Sequence, residues 1–206
     1  MIEEITARLY SDTPKERLYH YTTFKGLLGI VHSSSLWASD IRYMNDSAEL
    51  KHTAHLIGGE ISERIASGHP NPDLLNQFLD WVTHRITNGH MLFAASFRAN
   101  GNLLSQWRGY SRIGKGVSLG FNPDVILKCA EKQSFQVGKC VYDKEEQKQL
   151  IRQVIDSLEH LSAEHEVSAT ENYHKIFQII ESDLLRIAAI LKHPSFEEEE
   201  EWRVVS

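Results

Sequence analysis

The sequence predicts an α+β fold, a single domain in which helices pack on a small mixed or antiparallel sheet. Strand patterns occur near both ends of the chain and in its middle, and helical patterns fill the intervals between them. Of the 206 residues, 41% are hydrophobic and 24% are charged, a balance typical of a folded globular domain. We expect one domain over residues 1–206, with an N-terminal extension at 1–17 and the core at 18–206.

Local residue patterns predict the boundaries of the elements from residue 18 to residue 205. An aromatic-rich strand is predicted at 18–22, then a helix at about 23–33 with Thr22 or Thr23 as its N-cap. The remaining predictions are, in order, a short strand at 36–39; a helix to about 66 that starts at the capping-box pair Asp46 and Glu49; a helix from Asn71-Pro72 to about 87; strands at 91–97 and 117–121; a short helix after Asn122-Pro123; a strand at 135–142; helices at about 144–165 and 171–192; and a strand at 202–205.

The formal net charge of -6 comes largely from one segment. The chain has 22 Lys+Arg and 28 Asp+Glu, and the run Glu197–Glu201 supplies five of the acids. The near-neutral remainder lacks the basic face that non-specific nucleic-acid binding needs, so we expect no such binding. Apolar runs are too short to span a bilayer, so no membrane partner is expected. The two cysteines fit a reducing cytoplasm, where we expect the protein to reside.

Two segments carry side chains suited to sugar or nucleotide chemistry. His20 lies between Tyr19 and Tyr21, where an imidazole can hydrogen-bond a sugar hydroxyl while a ring stacks on a base; the alternative is a hydrogen-bonded core histidine. Glu199 and Glu201 alternate into the last strand, so both carboxylates are expected on one face, where one could stabilise a developing cationic sugar. The alternative is a solvated acidic turn.

The middle of the chain offers further ligand-binding candidates. Ser96 and Ser118 each lie in a predicted strand, and either hydroxyl could orient a ligand. Trp107, Arg108 and Tyr110 are concentrated between two strands, where they could wall a planar ligand and bind phosphate. The alternative for this cluster is a core tryptophan with a surface arginine.

The 11 histidines of the chain make a metal site a candidate. Glu49 with His52, and Glu171 with His174, have the Glu-x-x-His spacing of di-iron helical bundles. The strands predicted in the middle of the chain conflict with such a bundle, and no His-Glu-x-x-His motif occurs. We therefore expect no metal.

Several segments together resemble the bacterial family called domain of unknown function 2971. The similar segments, in order, are residues 18–24, 35–49, 95–97, 104–110, 116–121 and 196–203. The chain is also distantly similar to the ADP-ribosyltransferase superfamily, through the His-Tyr-Thr strand, the helix that follows it, and a late glutamate entering a strand. This similarity implies an ADP-ribosyltransferase-like fold for the core at 18–206. It also implies an NAD-using transferase, with His20 at the first motif position, Ser96 or Ser118 at the middle one, and Glu201 or Glu199 at the last.

The resemblance leads to a specific hypothesis about function. The protein would cleave the nicotinamide N-glycosidic bond of NAD and transfer ADP-ribose to an unknown, macromolecular acceptor, in a bacterial stress, toxin or phage-defence setting. Glu201, Glu199 and His20 would be catalytic. The residues expected to contact NAD are His20, Tyr21, Thr22, Ser96, Trp107, Arg108, Tyr110 and Ser118. The alternatives are a non-catalytic module that binds a nucleotide or a protein, and a metal-dependent phosphodiesterase or nuclease.

Overall fold

The computed structural model describes residues 1–41, 47–88, 92–110, 116–165 and 173–206. The fold is α+β with an open antiparallel sheet, which confirms the predicted class. The strands are β1 (Leu18–Thr23), β2 (Ser39–Asp40), β3 (Phe93–Arg98), β4 (Gly116–Phe121), β5 (Gln136–Lys139) and β6 (Glu201–Val205). The helices are α1 (Ile2–Leu9), α2 (Phe24–Ser33), α3 (Ser47–Ala66), α4 (Pro72–Asn88), α5 (Leu104–Tyr110), α6 (Pro123–Lys132), α7 (Lys144–Glu164) and α8 (His174–Ile190).

The strands are ordered β4-β1-β3-β6-β5, with β2 paired to β3. One edge of β3 is taken by β6 along its length, so β1 and β2 share the other edge. β1 meets β3 at the pair Tyr19–Arg98, whereas β2 meets it at Ala94 and Phe93. The first and last strands are therefore not neighbours, because β3 lies between them.

The two faces of the sheet have different coverings. Facing residues of an antiparallel pair point to the same side, so Arg98 shares a side with Glu201, and Phe97 shares the other side with Trp202. The side of Arg98 and Glu201, here called the bundle face, packs at Ala94 and Val205 into the core formed by the larger helices. The opposite side, here called the pocket face, carries a smaller apolar cluster that includes residues of α6.

Local sequence accounts for most element starts. Thr23 is the N-cap of α2, and its Oγ1 accepts a hydrogen bond from Gly26 N at 3.1 Å. Asn122 caps α6, with Pro123 in the first turn. The predicted capping box of Asp46 and Glu49 lies outside the described residues.

Some elements differ from the sequence predictions. The residues predicted as an N-terminal extension form α1, whose Ile2 and Ile5 are buried in the main core. Strand β2 begins three residues later than predicted, at Ser39. The strand predicted at 135–142 ends at Lys139, and Val141 makes only an isolated bridge to Leu191. Within the described ranges, none of the helices combines the length and the hydropathy needed to cross a membrane.

Candidate functional site

The acidic run divides into exposed and buried glutamates. Glu197, Glu198 and Glu200 are exposed, whereas Glu199 is 8% exposed and Glu201 is fully buried. Glu199 ends a short 3-10 helix and Glu201 begins β6. Glu200 between them adopts a left-handed conformation, with φ of 39°, and this turn directs both neighbouring carboxylates inward.

Both buried carboxylates belong to one ion cluster. Glu199 Oε2 lies 2.6 Å from Lys192 Nζ and 2.8 Å from Arg98 Nη2. Glu201 Oε1 lies 3.0 Å from Arg98 Nη1 and 2.9 Å from Arg203 Nε, and its Oε2 pairs with Lys192 Nζ. Three cations thus surround two carboxylates, which leaves these five side chains with an excess of one positive charge.

Hydrogen bonds with backbone atoms hold this cluster in position. Arg203 Nη1 donates to the Ala189 carbonyl oxygen at 2.7 Å, and the amide of Glu201 donates to Tyr142 Oη at 3.0 Å. Buried charges need such partners because desolvation otherwise costs several kcal/mol per ion. The cluster therefore ties β3, β6 and the segment after α8 together.

Electrostatics keep Glu201 ionised. Burial raises the pKa of its carboxyl, but Arg203, Arg98 and Lys192 outweigh burial and hold that pKa well below its usual range. A carboxylate already paired with three cations has little capacity left to stabilise a further cation. Glu201, which the sequence similarity places at a catalytic position, is thus paired with three cations in this structure.

The first predicted motif residue, His20, lies on the pocket face. Tyr19 faces Arg98 across the β1–β3 pair, so the next residue points to the other side, and the His20 ring lies 5.9 Å from the Phe97 ring. Its Nδ1 is 2.9 Å from the Ser96 carbonyl oxygen. Burial lowers the pKa of His20, with the Ser96 contact opposing the shift and Arg98 adding to it.

Thr22 has the same orientation as His20 and lies against α2. A Cβ placed on Gly26 would be 2.1 Å from Thr22 Oγ1, so the glycine permits this close approach. The sheet thus separates His20 and Thr22 from Glu199 and Glu201, and the structure does not bring these candidates into one cleft.

The other six predicted residues lie on the bundle face or on α5, which packs against the sheet. Ser118 faces Tyr21 across the β1–β4 pair, and Ser96 faces Arg203 across the β3–β6 pair. Both serine Oγ atoms are buried without a hydrogen-bond partner among the described residues, as is Arg98 Nε. Such orphaned polar atoms are uncommon in folded proteins.

Helix α5 is positioned by Tyr21. The Tyr21 hydroxyl donates to the Asn100 carbonyl oxygen at 2.9 Å and accepts from the Leu103 amide at 2.8 Å. The Tyr21 and Trp107 rings meet edge to face at 5.2 Å. Trp107 is half-buried, and Trp107 Nε1 donates to Asn102 Oδ1.

The remaining members of the α5 cluster differ in exposure. Arg108 is exposed and Tyr110 is half-buried. The pKa of Arg98 is raised: burial lowers it, Glu201 and Glu199 raise it, and the smaller effects are those of Arg203, which lowers it, and Tyr110, which raises it. Helix α5 thus carries Trp107 against Tyr21 and Tyr110 among the groups that act on Arg98.

Sequence reasoning missed the cations of the cluster. Arg98, Lys192 and Arg203 were not site candidates, nor was Tyr142, whose pKa is raised chiefly by burial. A sequence pattern was available only for Arg203, which follows Glu199 and Glu201 at the same spacing of two. Arg98 and Lys192 become partners of the glutamates only through the tertiary fold.

Of the two Glu-x-x-His pairs that were set aside as metal ligands, only the histidines have described side chains. His52 Nε2 is 2.9 Å from Gln147 Oε1, and the His52 ring lies 5.4 Å from that of His193. Glu49 and Glu171 have no described side chains. Across the described part of the chain, no three His, Cys, Asp or Glu side chains form a group suited to a metal ion.

The protein thus has an α+β fold with a buried ion cluster on the bundle face of its sheet. Residues 106–204 match the model of a family described as protein of unknown function, DUF2971. This match supports the family resemblance that the sequence motifs indicated, and it spans Trp107, Lys192, Glu199 and Glu201. Comparison with curated proteins and with solved structures gives no match.

Proposed function

We propose that this protein is a non-catalytic nucleotide-binding module whose site lies on the bundle face beside α5. The observation that carries the proposal is that three of the seven buried polar atoms without a partner among the described residues, namely Ser96 Oγ, Ser118 Oγ and Arg98 Nε, lie on the bundle face in strands β3 and β4. Buried hydroxyl and guanidinium groups of this kind are suited to the hydroxyl and phosphate oxygens of a ligand.

Charge favours an anionic ligand at this place. The five side chains of the ion cluster carry one positive charge more than negative. Arg108 is exposed on α5, where its planar guanidinium is available for bidentate phosphate binding.

Aromatic side chains supply the complementary feature for a base. Tyr21 and Trp107 pack together, and Tyr110 lies on the same helix as Trp107. Rings that are half-buried, as Trp107 and Tyr110 are, retain surface on which a planar base can stack. A nucleotide combines the anionic and planar groups that these residues would bind.

Two findings argue for binding rather than catalysis. Glu201 is fully buried, and three cations already neutralise it. His20 points to the pocket face, away from both glutamates. This separation of His20 from both glutamates favours binding over catalysis by these three residues.

A second candidate is NAD-dependent ADP-ribosyl transfer to an unknown acceptor, in a stress or defence setting. It is favoured by one observation: Glu199 and Glu201 converge on the face that also carries Tyr21, Ser96 and Ser118. Glu199, with 8% exposure, would be the carboxylate nearer the ligand in this case. NAD would then be a substrate, with no metal.

Calorimetry with NAD, ADP-ribose and ATP tests the module. We expect saturable binding of at least one nucleotide, weakened about tenfold or more in the Ser96→Ala, Ser118→Ala double variant, since each lost hydrogen bond is worth about 1 kcal/mol. His20→Gln, on the opposite face, is the matched control and should bind as the unaltered chain does. Absence of nucleotide binding would refute the proposal.

Labelled NAD distinguishes the two candidates. The module binds without releasing nicotinamide, whereas the enzyme releases nicotinamide or labels a protein in cell extract. If nicotinamide is released and the release is lost in Glu199→Gln, with folding verified by circular dichroism, the enzyme proposal replaces the module proposal.

We also propose a cytoplasmic location, supported by the thiols of Cys129 and Cys140, which are both free.

A further inference from the structure

The pocket face holds a cavity of about 390 Å³ between α2 and α6. Its floor is formed by sheet residues that include Ala95, Phe97 and Val204, and Ala130 of α6 forms part of one wall. Phe97 and Ala130 are 3% and 4% exposed, so the cavity reaches into the smaller apolar cluster. A volume of this size lies within the usual range of small-molecule sites.

The cavity exists because small residues occupy positions that larger ones could fill. Ala38, Ala95 and Ala130 line it, and the last two are buried members of the core cluster. Protein interiors are normally packed to crystal density. Alanine at these positions leaves a hollow in a cluster that is otherwise rich in aromatic and branched side chains.

The lining also lacks charge. None of the described residues that form the cavity is Asp, Glu, Lys, Arg or His, and its polar side chains are Ser34, Ser35, Gln133 and Cys129. A charged group placed there would lose its hydration without gaining an ionic partner. The site is therefore complementary to a neutral ligand, with at most one or two hydrogen-bonding groups.

We propose that this cavity binds an uncharged, apolar small molecule, such as a short alkyl chain with a hydroxyl end. The cavity volume lies near the lower end of the range of small-molecule sites, which favours a small occupant. The lining without charged side chains favours a neutral one.

Fluorescence of N-phenyl-1-naphthylamine, a neutral apolar probe, tests the proposal. We expect one saturable site, competition by decanol, and at least tenfold weaker competition by decanoate at neutral pH. Ala130→Leu fills the cavity and should weaken probe binding at least tenfold. Ala163→Leu, at an exposed position of α7, is the matched control and should leave binding unchanged.

The thiol of Cys129 provides a second measurement that needs no substitution in the cavity. Cys129 is exposed and lines the cavity, whereas Cys140 is buried elsewhere. Decanol should slow alkylation of Cys129 by iodoacetamide at least fivefold, as followed by peptide mass spectrometry, while decanoate should not.

Three results would overturn the proposal. These are unsaturable probe binding, equal binding by Ala130→Leu and Ala163→Leu, and alkylation of Cys129 at the same rate with and without decanol. Nucleotide binding takes place on the other face of the sheet under the proposed function. Either proposal can therefore fail without the other.

Discussion

Arg98 and Glu201 face each other across strands β3 and β6, with Arg98 Nη1 3.0 Å from Glu201 Oε1. The Arg98 side chain is 7% exposed and the Glu201 side chain is fully buried. This cross-strand ion pair, with Lys192 and Arg203 around it, accompanies the burial of Glu199 and Glu201 in an acidic run whose other three glutamates are exposed.

Glu201→Gln should lower the free energy of unfolding by about 3–5 kcal/mol, the usual cost of breaking a buried ion pair from one side. The substitution leaves Glu199 alone with three buried cations. Urea denaturation measures the loss, and Glu198→Gln, at an exposed position of the same run, should change it by less than about 0.5 kcal/mol. Equal stability of the two variants would show that Glu201 is not held as described.

His20 should make stability depend on pH in the weakly acidic range. Because burial lowers its pKa in the folded protein, the unfolded chain binds the proton first as the pH falls. The contribution of neutral His20 is complete above its ordinary pKa of about 6.5 and declines below that value. The stability difference between the unaltered chain and His20→Gln, measured by urea denaturation, should therefore shrink from pH 7.5 toward pH 5. A constant difference contradicts the prediction.

Tyr21→Phe should destabilise the protein and loosen α5. The Tyr21 hydroxyl makes one hydrogen bond to Asn100 and one to Leu103, and its removal leaves the Leu103 amide without that partner. The expected loss is about 1–3 kcal/mol, with faster amide exchange in residues 103–110. Tyr19→Phe is the matched control, since the Tyr19 hydroxyl has no hydrogen bond to any residue the structure describes. A similar small effect of both changes would count against the role of Tyr21.

Gly138→Ala should be destabilising for a steric reason. A Cβ at this position would lie 2.7 Å from Cε1 of Tyr10, whose hydroxyl is anchored to the Arg186 carbonyl oxygen. Displacing that ring should cost about 1–3 kcal/mol. Gly29→Ala, in a helix with no atom within 4 Å of the new Cβ, should instead stabilise by up to about 1 kcal/mol. Thermal denaturation of both variants gives the two opposite shifts, and a stabilised Gly138→Ala would refute the packing described.

The sequence predicted the regular elements well where local chemistry defines them. Thr23 and Asn122 cap helices as their types lead one to expect. Short elements were predicted less well: α5 was not predicted as a helix, and the strand predicted at 36–39 overlaps β2 only at Ser39, because such short segments have too few residues to show a period. Strand order was also beyond reach, since placing β3 between β1 and β6 depends on contacts distant in sequence.

The candidate site was predictable only in part. The alternation of Glu199 and Glu201 indicated that both carboxylates turn the same way, and the structure brings them together on Lys192. The sequence could not show that His20 points to the other face, because that depends on the register of Tyr19 with Arg98. Nor could the sequence identify Lys192 as buried. Lysine is rarely buried without a partner, and its partners Glu199 and Glu201 follow it only after a 3-10 helix has begun.

The central place of β6 in the sheet has a consequence for biosynthesis. A ribosome makes β3 and β5 long before β6, which lies between them. Until Glu201–Val205 leaves the exit tunnel, β3 and β5 each present an open edge of unpaired backbone groups, a template for association with other chains. Nascent chains of this protein should therefore depend on chaperones until β6 has emerged. The same strand supplies Glu201, the carboxylate that pairs with Arg98 and Lys192.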